Sequence, residues 1–166
     1  MTMQANPSLA VVDLYLSRGR VRAEIPMQGF TRLSDLFNNT PGDFLAGWIR
    51  LASIATEGGA VRRDLVVRLA DVRLVRPIDE VPTPIVLDAI RERLPARVVI
   101  DMDDWQVTGD LQLVDRIRWL DFVTGVRNRF VSVNNASIRF AGVADPLECP
   151  FVLINGARIS ALYEVA

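Results

Sequence analysis

Set beneath residues 11–37 at an offset of 86, residues 97–123 repeat the same order of apolar and polar positions without a gap. Val12 meets Val98, Leu14 meets Ile100, Val21 meets Val107, Ile25 meets Leu111, Arg32 meets Arg118 and Asp35 meets Asp121. After a two-residue slip, "ASIAT" (52–56) falls on "ASIRF" (136–140), and "VRLADVRLV" (67–75) falls on "INGARISAL" (154–162). Few identities survive, so the warrant is the shared order of periodicities. A chain of 166 residues that writes one pattern twice has room for two small domains of one design. Chance similarity between two β-rich halves is the competing explanation.

Each half spells one series of elements. "AVVDLYLSRGRVRAEIPM" alternates on both sides of Arg18-Gly19, and "RVVIDMDDWQVTGDLQL" does so around Asp103-Asp104, which predicts two hairpins. Next, Thr31 is positioned to cap a short helix with Leu33, Leu36 and Phe37 at i, i+3 and i+4, ended by Pro41-Gly42. Asp115, Trp119, Phe122, Val123 and Gly125 repeat that spacing in the second half. A long strand follows (44–56 and 130–142), then a pair of short strands, with Asn155-Gly156 reading as a type I′ turn and Leu69-Ala70-Asp71 in its place in the first half. The expected fold is mainly β with short helices, as two tandem homologous small β-barrel-like domains of about five strands and one short helix each. They cover residues 1–79 and 96–166, joined by a Pro-containing linker (80–95) with a spacer helix from Ile85 to Leu94.

Composition removes several chemistries. All 19 basic residues are Arg; the chain has no Lys and no His. That excludes an imidazole proton shuttle, a His-dependent nucleophile pair, a Schiff base and a P-loop lysine. The single cysteine, Cys149, cannot close an internal disulfide and has no second soft ligand for zinc, so it is read as a small buried hydrophobe. The glycines of "TEGGAVRR" (56–63) lack the context of a phosphate loop. No catalytic residue, metal site or cofactor is expected, and the chain is read as a non-enzyme. A net charge of -1 gives no global field toward nucleic acid or an anionic membrane. The first residues lack a basic n-region and no run is long enough to span a bilayer, so a cytoplasmic protein is expected. The chain's mean hydropathy is high for a protein that stays alone, and it points to a partner surface.

The five-strand pattern ending in "INGARISAL" resembles the Sm-like small barrel, with the helix here after the first hairpin instead of before it. "VRAEI…RLSDLFN" and "VTGDL…RWLDFVT…INGARI" resemble a family of uncharacterised small bacterial β domains with an RLSDxLN-type motif. "FVLINGARISALYEV" is similar to the Val-Asn-Gly strand turn of the SpoA domain of flagellar and secretion-system switch proteins. None of these resemblances supplies a catalytic residue.

Where the two halves differ, partner contacts are expected. Arg18, Arg20 and Arg22 share one face of the first hairpin, with Val21, Ala23 and Ile25 toward the core, whereas Asp101, Asp103 and Asp104 beside Trp105 make the second hairpin acidic. Opposite charge at equivalent places suits head-to-tail self-association or a protein partner. As the alternative, Arg116, Arg118, Arg127 and Arg129, near Trp119 and Phe130, form a cluster for nucleic acid. Asp35 and Asp121, each three residues after its Arg (Arg32 and Arg118), are expected to tie their helical turn together or to bond free backbone amides nearby. Trp48 and Trp105 stand at polar positions of their strands, as interface aromatics or as core.

Overall fold

Alternation with period two commits "LAVVDLYL" and "GRVRAEIP" to strands, and a tight turn between them forces the pairing. β1 (Leu9–Leu16) and β2 (Gly19–Pro26) run antiparallel from Leu16↔Gly19 to Leu9↔Pro26. The loop is Ser17-Arg18, one residue earlier than the sequence suggested, with Gly19 at φ +140° opening β2. The computed structural model from which this follows describes residues 8–52, 60–79, 93–114 and 129–165.

The chain divides into two units, Met1–Glu80 and Val81–Ala166. In the first, α1 (Leu33–Asn39) follows the hairpin and buries Leu33, Leu36 and Phe37, the three expected positions. Seven residues make no stable helix in water, so those buried side chains hold it. Its N-cap is Arg32, without a side-chain cap bond, instead of Thr31. At the other end both the amide and the hydroxyl of Thr40 donate to the Leu36 carbonyl, and Gly42 at φ +80° turns the chain away. β3 (Phe44–Ala52) and β4 (Ala60–Arg68) form the next antiparallel pair. A single 3-10 turn, Leu69–Asp71, then leads into β5 (Val72–Pro77), which pairs with β1. The sheet order is β5-β1-β2-β3-β4. One face carries Val12, Leu14, Ala23, Ile25, Leu45 and Val67, all buried.

The second unit is built in the same order. β6 (Arg93–Met102) and β7 (Trp105–Val114) form a hairpin closed by Met102↔Trp105. Asp103 adopts φ +45° in its turn, a conformation Asp tolerates better than most residues, which replaces the missing glycine. β8 (Phe130–Phe140) and β9 (Leu147–Asn155) follow, and β10 (Ala161–Glu164) returns to β6, giving the order β10-β6-β7-β8-β9. Val98, Ile100, Met102, Val107, Leu111, Ala136, Ile138 and Val152 are buried. The expected second helix, with Asp115, Trp119, Asp121, Phe122 and Gly125, lies outside the described residues.

Two expectations are corrected. Asn155-Gly156 is not a hairpin turn: β10 pairs with β6 and not with β9, so the chain needs a change of direction instead of a reversal. A 3-10 turn, Gly156–Arg158, supplies it, with the Asn155 side chain accepting from the Ala157 amide at 3.1 Å. The spacer helix cannot reach Leu94, because Arg93 and Leu94 already belong to β6, paired with Val114 and Leu113; its residues 85–92 lie outside the described residues. Pro95 is tolerated inside β6 because the ladder with β10 covers only Val98 to Asp101, and Pro95 lies beyond it. Among the described residues no helix is long and apolar enough to cross a membrane.

Candidate interaction surface

A strand one residue out of phase with its core face presents its other side chains together. On β1 this places Asp13 on the face opposite Val12 and Leu14, yet Asp13 is fully buried. Register explains how it is tolerated: Asp13 stands across from Arg22 on β2 and from Arg76 on β5. Arg22 donates Nε to Oδ1 at 2.8 Å and Nη2 to Oδ2 at 3.0 Å, a bidentate pair, and the guanidiniums of Arg20 and Arg76 each come within 3.9 Å. Accepting from Arg22, Asp13 holds that guanidinium's pKa above its ordinary value.

A second carboxylate repeats the arrangement. Glu24 is buried on β2 opposite Trp48, and Arg50 reaches Oε1 with Nε at 2.6 Å. Arg62 approaches Oε2 at 3.1 Å as a charge contact without hydrogen-bond alignment, while its guanidinium lies 4.0 Å from the centre of the Trp48 ring. Arg50 and Arg62 are themselves cross-strand partners. Asp13, Glu24 and their arginines therefore form a continuous charged layer across all five strands of the first sheet.

The first hairpin's arginines thus divide in two. Arg18 projects from the turn, but Arg20 and Arg22 are drawn to Asp13, which the sequence reading passed over. A signal existed: once the loop is Ser17-Arg18, antiparallel counting sets Asp13 across from Arg22. In the second hairpin Asp101 accepts from Gln106 Nε2 at 2.9 Å, and its carbonyl accepts from the amide and hydroxyl of Ser160. Asp103 and Asp104 are exposed at the turn. Trp105 is half-buried against Phe140, edge to face at 5.2 Å, and Trp48 is half-buried beneath Arg62, so neither is a free aromatic. No ion pair between described residues joins Arg32 to Asp35; the Asp35 carbonyl instead accepts from Asn39 Nδ2 at 2.8 Å. Of the expected nucleic-acid cluster, Arg116, Arg118 and Arg127 lie outside the described residues, and Arg129 offers its carbonyl to Gly156. Cys149 is buried and free of a disulfide.

The second sheet's outer face is held differently. Asp110, the counterpart of Glu24, accepts from Asn135 Nδ2 at 2.9 Å and from Arg97 Nη1 at 3.0 Å, and in that order these donors hold its carboxyl below the ordinary range. Asn135 is able to reach it because it takes φ +48° where β8 bulges opposite Gly109.

One further feature faces outward. Among the described strands β4 is paired only with β3, and its nine residues leave Val61 and Val66 exposed, with Phe44 exposed on the adjacent strand. Among the described residues no group of His, Cys, Asp and Glu is arranged to hold a metal. Comparison with protein-family models, with curated proteins and with solved structures finds no match.

Proposed function

We propose that the chain is a non-enzymatic assembly or adaptor subunit that acts by protein-protein contact and associates with itself head to tail. The edge of β4 that no described strand covers carries this reading: a nine-residue strand at the end of the strand order, with exposed valines, is a template for strand addition. Arg18 on one hairpin turn and Asp103-Asp104 on the other give the contact its polarity, since like ends repel. Each unit is read as a small barrel of the Sm-like kind. Support comes from the return of the fifth strand to the first and from the glycines, Gly47 and Gly109, where the second and third strands crowd each other. SpoA-like assembly in a larger complex is the same reading with a different partner.

The test is light scattering coupled to size exclusion over a range of protein concentrations. Arg18→Glu alone, and Asp103→Arg with Asp104→Arg, are expected to lower the mean mass; the chain carrying all three changes is expected to recover it. A chain that is monomeric at every concentration, or whose mass ignores all three changes, overturns the reading.

A further inference from the structure

The charged layer of the first sheet is more than a set of internal pairs. Arg76 faces Asp13, Asp13 faces Arg22, and Arg50 faces Arg62, while Arg22 and Arg50 lie one residue beyond the Ala23↔Ile49 pair that joins their strands. Four arginines and one aspartate therefore stand in a single row crossing β5, β1, β2, β3 and β4, about 19 Å long at ordinary strand spacing. The carboxylates lie beneath and the cations above: Asp13 is 0 % exposed, whereas the side chains of Arg22, Arg50 and Arg62 are 58 %, 67 % and 45 % exposed. Arg22 and Arg50 each spend one edge on a carboxylate and Arg62 rests on the Trp48 ring, which orients these three guanidiniums while much of each stays toward solvent. Arg20 flanks the row, and Arg68 lies above Phe44 at 5.5 Å on the same face. These six arginines meet four carboxylates, Asp13, Glu24, Asp64 and the nearby Asp79, leaving an excess of two positive charges on one face of a molecule whose net charge is -1.

The fold does not require this band. The matching row of the second sheet runs Tyr163, Val99, Thr108, Ser137 and Glu148, with no arginine, and its one charge accepts a hydrogen bond from Ser137 Oγ at 2.5 Å. One strand order is built with and without the cations, so the layer of buried carboxylates and outward-facing arginines belongs to this face and not to the strand order.

We infer that the outer face of the first sheet binds a single-stranded nucleic acid through its phosphodiester backbone, crossing the strands along the arginine row. Forks fixed at strand intervals suit a chain of repeating anions, and phosphate accepts from guanidinium in the geometry these arginines hold ready. An exposed aromatic on the same face, six residues or about 20 Å along β3 from Arg50, favours a nucleic acid over an acidic peptide. Phe44, 54 % exposed with Arg68 above it, offers a strand longer than the row a stacking surface that a base uses and a carboxylate chain does not. This inference is independent of self-association.

The experiment is fluorescence anisotropy of a labelled oligouridine of about 15 nucleotides with the full chain, titrated from about 50 to 200 mM salt. Binding that weakens steeply with salt is expected. Arg50→Gln with Arg62→Gln is expected to flatten the slope of log affinity against log salt by about 1.4, at about 0.7 for each lost contact. Because both residues also hold Glu24, Arg20→Gln serves as a second variant. Its guanidinium makes only a 3.9 Å contact, so a loss of about 0.7 in slope with an unchanged melting temperature is expected. Phe44→Ala is expected to weaken binding about fivefold to a hundredfold, and Arg139→Gln on the second sheet to change nothing. Absence of salt-dependent binding, an unchanged slope in Arg20→Gln and the double variant, or equal competition by polyglutamate each overturns the inference, the last by assigning the band to an acidic protein.

Discussion

At Asp13 the two halves of an ion pair are not interchangeable. The carboxylate is fully buried and its partner is mostly in water, so deleting either one leaves a different remainder. Arg22→Gln strands a buried anion whose nearest remaining cations, Arg20 and Arg76, stand 3.9 Å away. A cost of about 3 kcal/mol is expected, the low end for breaking a buried pair. Asp13→Asn leaves a guanidinium that water solvates, and about 1–2 kcal/mol is expected. Urea unfolding of the two variants measures the difference, and the reverse order would mean that Asp13 is not the desolvated partner. Asp110 supplies a pH counterpart. Its carboxyl is held below its ordinary value by Asn135 and Arg97, so the unfolded chain takes up its proton first as pH falls. The stabilisation is present above about pH 4 and is lost as pH drops through the folded value. Asp110→Asn is therefore expected to cost on the order of 0.5–1 kcal/mol at pH 7, as for a partly exposed pair, and nothing near pH 2. Thermal melts at the two pH values read this directly.

Elements differ in how much of their geometry their own residues dictate. The helix α1 was legible because one turn's worth of spacing suffices: Leu33, Leu36 and Phe37 share a face whatever lies around them. Leu36→Ala is expected to cost about 2–5 kcal/mol by urea unfolding, since Leu36 is fully buried in a helix too short to stand alone. Both hairpins were legible for the same local reason. Asn155-Gly156 was misread because its meaning is set by β6, some 55 positions back, to which β10 must return. This leaves a test at the glycines. A type I′ turn would need positive φ at Gly156, but its φ is ordinary and the nearest atom to an added Cβ is the Arg129 carbonyl oxygen at 3.5 Å. Gly156→Ala is expected to be tolerated within about 0.5 kcal/mol. Gly47→Ala would press on Ile25 Cδ1 at 2.6 Å and the Glu24 carbonyl at 2.7 Å; Gly109→Ala would meet Val133 and the Asn134 carbonyl. Each is expected to cost about 1–3 kcal/mol as overpacking against backbone, with melting temperature as the readout. The arginine row stayed hidden because it belongs to no stretch of sequence. Arg76, Arg22, Arg50 and Arg62 become neighbours only through the register of four strand pairs, and only the Asp13–Arg22 step crosses a two-residue turn.

For the whole molecule, duplication separates what a fold needs from what a surface does. The shared order β5-β1-β2-β3-β4 and β10-β6-β7-β8-β9, with a 3-10 turn before each last strand, is common property of the two units. The arginine row of the first and the acidic turn of the second are not, and they are where binding is proposed. Salt distinguishes the two forces available for self-association. Charges at the turns Ser17-Arg18 and Asp103-Asp104 are exposed, and at 1 M salt the screening length falls to about 3 Å, so an association driven by them fades. Strand addition along β4 buries Val61 and Val66 and adds backbone hydrogen bonds, neither of which depends on ionic strength in that way. If the edge supplies the affinity and the turns supply only polarity, raising salt from about 0.1 M to 1 M leaves the mean mass largely intact while abolishing the difference between the parent chain and Arg18→Glu. Val66→Glu is then expected to dissociate the assembly at both salt concentrations. A parent chain that falls to monomer at 1 M salt assigns the affinity to the turns and removes β4 from the interface.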